Sequence, residues 1–179
     1  GGYTTVGEFH YVHRPRGGAH GSEMALAVRE AARDVGIRIV MLPVWYQRGG
    51  FGRDPAPEQM AFVHPSLDVF VALLESLRDQ PCGIAPHSLR AVPLATLPEL
   101  VTLADSVLGE RAPIHMHVSE QPLEVVECYK AHGRPPIQCL AETVELDARW
   151  SLVHATHAEP YEVAILKDRD PNLVLCPLT

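Results

Sequence analysis

The chain has no CxxC pair. Its four cysteines, Cys82, Cys128, Cys139 and Cys176, stand apart in or beside apolar segments. That argues against a cysteine-built zinc site or a disulfide scaffold and predicts reduced, mostly buried thiols in a cytoplasmic protein. There is no basic run: 15 Lys and Arg against 22 Asp and Glu give a net charge of −7, a poor match for nucleic acid or an anionic membrane. No apolar stretch reaches the ~18–20 residues that span a bilayer. No basic start followed by an apolar core marks a signal peptide. No GxGxxG follows the first strand-like run, which weakens a dinucleotide-binding reading.

What remains is an ordinary soluble composition, 46% hydrophobic and 21% charged over 179 residues, the size of one domain or a large part of one. The chain opens at "GGYTTVGEF" without methionine and stops at "NLVLCPLT". Both ends lie inside strand-like runs and are expected to be cut edges. Ten histidines are many for this length and make metal or proton chemistry worth tracing.

Strand-like and helix-like runs alternate. Period-two or continuous apolar patterns predict strands at 3–11, 37–46, 82–88, 113–120, 150–157 and 172–178. Helical spacing with start and stop signals predicts helices at 22–36, 66–80, 96–111, 122–133, 136–146 and 160–169. The Gly/Pro-rich stretch 47–60 reads as a loop. Such alternation predicts βαβ units and parallel strands, in an open doubly wound sheet or an incomplete TIM barrel. Histidine falls at or near the end of four strands, in "GEFHY", "APHS", "HMHVSE" and "LVHATH". Active sites of barrels form on that rim, so the barrel is favoured.

In "PIHMHVSEQ", His115, His117 and Ser119 share one face of the strand. His117 is a candidate metal ligand, although a single histidine on a strand also serves as an ordinary core residue. Glu120 follows just past the strand end, where a carboxylate can exchange protons with a metal-bound water; it could equally be an acid at the start of the next helix. His154 could polarise a substrate or hold the attacking water. His87 could donate a hydrogen bond, and Arg90 offers a planar fork for a carboxylate, unless both are plain surface groups. The phenol of Tyr11 could help hold an anion. Together these residues point to a histidine-built, metal-dependent hydrolytic site for a small anionic substrate.

The ordered motifs "GEFHYVH", "PHSLRAV", "HMHVSEQ" and "LVHATHA" resemble those of the amidohydrolase superfamily, and within it the branch that hydrolyses N-formimidoyl-L-glutamate to N-formyl-L-glutamate and ammonia. The resemblance runs through nearly the whole chain. It implies an incomplete metal-dependent hydrolase (β/α)8 barrel, roughly strands 2–7, with residues 1–179 as one partial catalytic domain. It also implies one divalent metal, zinc, with His117 as a ligand, Glu120 and His154 as catalytic groups, and Tyr11, His87 and Arg90 as substrate-binding groups. The family's strand-1 HxH and strand-8 Asp are absent here, so one of four metal-ligand positions is carried. The resemblance thus describes a parent protein, while a weakly held or absent metal and an inactive fragment are expected of this chain. Open strand edges predict pairing with another copy or with the rest of a longer product. A purine or pterin deaminase of the same superfamily and a folded non-catalytic fragment are the competing readings.

Overall fold

The computed structural model describes residues 2–15, 18 and 21–178. Strands and helices alternate as β1 (Thr5–His10), α1 (Glu23–Asp34), β2 (Arg38–Trp45), α2 (Leu67–Leu77), β3 (Ala85–Pro86), α3 (Leu97–Leu108), β4 (Ile114–Val118), then α4 (Pro122–His132) and α5 (Pro136–Thr143), β5 (Trp150–His154), α6 (Pro160–Arg169) and β6 (Asn172–Val174). Proline opens α4, α5 and α6 at the first turn, where its missing N–H costs nothing and its fixed φ suits a helix. Ser66 caps α2 by accepting from the Val69 N–H. Gly133 ends α4 at φ 73°, a conformation cheap for glycine.

All pairings between the strands are parallel. They form two three-stranded ladders, β1-β2-β3 and β4-β5-β6. The order follows the sequence without the reversal a doubly wound sheet needs. Against the expectation of an incomplete barrel, the strands form these two parallel ladders and no closed barrel: among the described residues β1 pairs only with β2, and β6 only with β5. Between the ladders the pairing thins to a single bridge, Ile84 to Ile114. It is flanked by hydrogen bonds from His115 N to Ile84 O and from His117 N to His87 O, both 3.0 Å. The strand expected at 82–88 is two residues long, Ala85–Pro86, and Pro86 has no N–H to give on the β4 side.

The helices cover one face of the strands. Ile114, Met116 and Val118 are 1%, 0% and 1% exposed there and pack with Trp45, Phe70, Leu74, Leu97, Ile137 and Trp150 in the main core. Each fully buried side chain of this size stabilises the fold by about 1.5–3 kcal/mol. His115 and His117 alternate onto the opposite, half-buried face, so the pleat alone separates core from chemistry. No helix among the described residues is long and apolar enough to cross a membrane.

Candidate active site

The C-terminal ends of β1, β3, β4 and β5 deliver the side chains singled out above. Tyr11 follows β1, His87 follows β3, His117 lies in β4 and His154 ends β5. Their rings run in a chain: Tyr11 to His87 at 5.6 Å, His87 to His117 at 5.1 Å and His117 to His154 at 5.5 Å between centroids. Arg90 and Glu120 close the group. The Arg90 guanidinium donates to Glu120 Oε2 at 2.6 Å, and Glu120 Oε1 is 3.7 Å from His154 Nε2. All six residues therefore share one locale.

The backbone fixes several of them. His87 Nδ1 pairs with Ser88 Oγ at 2.8 Å. His117 Nδ1 donates to the carbonyl of His87 at 3.0 Å, which in the neutral ring leaves Nε2 as the lone-pair nitrogen. The strand expected over 150–157 stops at His154 because His154 and Ala155 take positive φ values, 76° and 52°. That turn is strained for residues with a Cβ and lifts the imidazole out of the ladder direction.

Burial, and then the neighbouring His117 and Arg90, push His87 down to about 3. Burial likewise lowers His117, opposed in part by its bond to the His87 carbonyl. Both rings are neutral at pH 7. For Glu120 burial acts upward, but the Arg90 hydrogen bond and the charges of Arg90, His154 and His117 outweigh it and hold the carboxyl below its ordinary value. Tyr11 is pushed up to about 12 by burial and by Tyr46, so its phenol stays a proton donor.

Arg90 departs from expectation. One arm of the fork expected to hold a substrate, Nη2, is engaged by Glu120, and its Nε lies 3.7 Å from Glu124. The sequence reading does not single out Glu124. It is 2% exposed, and its two oxygens accept from the N–H groups of Ser119 (3.1 Å) and Glu120 (3.0 Å). It is the third residue of α4, so the helix-start role open to Glu120 belongs to Glu124. A glutamate two residues after the opening proline was the available signal. Tyr46, 4.9 Å from His87 and hydrogen-bonded through its hydroxyl to Gln59 Nε2, and Phe9, 4.3 Å from His117, complete the wall.

Among the described residues no group of three or more His, Cys, Asp or Glu could hold a metal ion. The His117 ring is oriented by a carbonyl, which leaves Nε2 as the nitrogen that could ligate, but zinc requires three or four ligands. These residues alone do not complete a zinc site.

No family model matches the chain. It is 41% identical to formimidoylglutamate deiminase of Pseudomonas aeruginosa over 98% of its length, covering 40% of that protein. It is 31% identical, over 52% of its length, to 5-methylthioadenosine/S-adenosylhomocysteine deaminase of Thermodesulfovibrio yellowstonii. An amidohydrolase of Brucella melitensis superposes with TM-score 0.85 at 35% identity, over 99% of this chain and 41% of that one. A zinc-bound adenosine deaminase of Xanthomonas campestris, 22% identical with TM-score 0.74, shares the fold. The resemblance read from the four motifs thus extends over nearly the whole chain, which spans about two fifths of the relatives that match it throughout.

Proposed function

We propose that this chain is the middle of an amidohydrolase-superfamily deiminase. In this reading β1 to β6 are consecutive strands of a (β/α)8 barrel whose other strands pair with the open edges of β1 and β6. The whole protein would hydrolyse N-formimidoyl-L-glutamate, adding water across the imine carbon and expelling ammonia to leave N-formyl-L-glutamate. The observation that carries the reading is the convergence of His117, Glu120, His154 and Arg90 at the strand ends, on a chain 41% identical to a formimidoylglutamate deiminase.

His117 Nε2 would be one metal ligand, with the others supplied from outside this chain. A divalent ion, zinc by likeness, would supply acidified water when bound. Glu120 would take a proton from the attacking water and give it to the imine nitrogen, then pass the hydroxyl proton of the tetrahedral carbon to the same nitrogen, which leaves as ammonia. His154, 3.7 Å from Glu120, would donate to the reacting centre. The phenol of Tyr11, His87 and Arg90 would orient the anionic end of the substrate, and neutral His87 adds no competing charge there.

A second reading is favoured by one observation. Arg90 already holds Glu120, so an uncharged purine nucleoside would not need to displace it, and half of the chain resembles adenosine-type deaminases. Ammonia release by the full-length protein, measured with N-formimidoyl-L-glutamate and with adenosine, separates the two. Faster turnover of adenosine would overturn the deiminase reading. Metal analysis and ammonia release on the 179-residue chain alone test whether it is a non-catalytic fragment.

A further inference from the structure

We propose that Glu124 is a positioning residue: it anchors Arg90 from behind, so that the front of the same guanidinium can exchange Glu120 for the carboxylate of an anionic substrate. The inference rests on the reading of Arg90 as a substrate-binding group and adds the partner that makes the exchange possible.

Arg90 stands between two carboxylates that are held very differently. Glu124 is 2% exposed and committed to two backbone N–H groups, so it cannot follow Arg90 outward. Its Oε2 faces Arg90 Nε at 3.7 Å, and that buried Nε has no hydrogen-bond partner. The side chain of Glu120 is 23% exposed and meets only the outer nitrogen, at 2.6 Å. Its other oxygen is already 3.7 Å from His154, so Glu120 can leave Arg90 and remain in the site.

One cation flanked by two carboxylates carries a local charge of about −1, so a third carboxylate meets a repulsion that displacing one of them would relieve. The exposed partner is the one that leaves. An arriving anion would take the outer face of Arg90 and release Glu120 toward His154. A neutral substrate would leave Glu120 held on Arg90. The pair would thus couple recognition of an anion to release of the proton-transferring carboxylate, while Glu124 keeps the guanidinium from being drawn off with the ligand.

The test is calorimetric titration of the full-length protein with N-formyl-L-glutamate and with glutarate, in the wild type and in the Glu120→Gln and Glu124→Gln variants. Glu120→Gln removes the competitor and should tighten both anions about five-fold, the equivalent of a partly exposed ion pair. Glu124→Gln removes the same charge beside the same arginine yet should weaken both about five-fold or more. Tightening by both variants would mean simple charge repulsion and would overturn the proposal. So would an unchanged affinity in Glu120→Gln, a result that stands even if Glu124→Gln does not fold. Turnover of N-formimidoyl-L-glutamate with no opposite shifts would sink this inference alone. Opposite shifts toward glutarate without that turnover would sink the functional reading and leave the exchange standing.

Discussion

The carbonyl oxygen of His87 receives both the main-chain N–H and the Nδ1–H of His117, each at 3.0 Å. One oxygen at the junction of the two ladders therefore sets the strand register and the tautomer of the proposed metal ligand together. Replacing the ring should spare the register bond and remove the chemistry. His117→Ala in the full-length protein is expected to lower turnover by at least about a hundredfold and to cost less than about 1 kcal/mol in urea unfolding. Metal content measured on the same sample should fall. Undiminished turnover would remove His117 from the proposed site.

Acid should loosen this fold from the site outward. The folded-state value of His87 lies near 3, well below its ordinary 6.5, chiefly through burial; His10 is lowered for the same first reason. Between those two values the unfolded chain binds a proton that the folded chain refuses, so stability is complete above about pH 6.5 and falls as pH drops toward 3. Glu120 acts in the same direction: its carboxyl is held below 4.5 in the fold, so its contribution is lost as pH falls through that lowered value. Urea midpoints measured from pH 7 to pH 4 should fall steadily in the wild type and less steeply in His87→Gln. Parallel slopes would show that His87 titrates normally.

The periodicities were enough to find six strands and six helices in order, because a strand covered by helices on one face must alternate and a helix on a sheet must repeat its apolar residues. They were also enough to place histidines at strand ends. They could not show where the ladder breaks, since that depends on Pro86 withholding an N–H at one register position. Nor could they show that Arg90 meets Glu120: thirty residues separate them, beyond the ends of strands whose junction is itself the thinnest part of the sheet. Glu124 became a clamp only because Ser119 turns to φ 48° and aims two N–H groups backward. A local pattern of polar residues cannot announce that geometry.

Gly83 lies where the chain enters β3, and a methyl group there would sit 2.1 Å from the carbonyl oxygen of Pro113 and 2.7 Å from its ring. The obstacle is backbone, so no side-chain rotation relieves it. The same carbonyl accepts from Ile84 N at 3.0 Å, which means the clash falls on one of the bonds that join the two ladders. Gly83→Ala is expected to cost about 3 kcal/mol or more, read as a lowered urea midpoint. A loss below about 1 kcal/mol would show that the junction can open without cost.

Arg149 ties the far end of β5 to α3. Its guanidinium forks onto both oxygens of Asp105 and also donates to the Glu110 carbonyl at 3.2 Å. The two side chains are 16% and 21% exposed, so solvent screens the pair less than it would at the surface. A planar fork matching a carboxylate is the geometry that lysine cannot reproduce. Asp105→Asn and Arg149→Lys should each cost about 1–2 kcal/mol in urea unfolding at low salt. Part of that loss should vanish in 1 M salt, where the Debye length shrinks to about 3 Å. Equal losses at both salt concentrations would assign the effect to packing of the arginine stem against the helix end, and the charge pair would then contribute little.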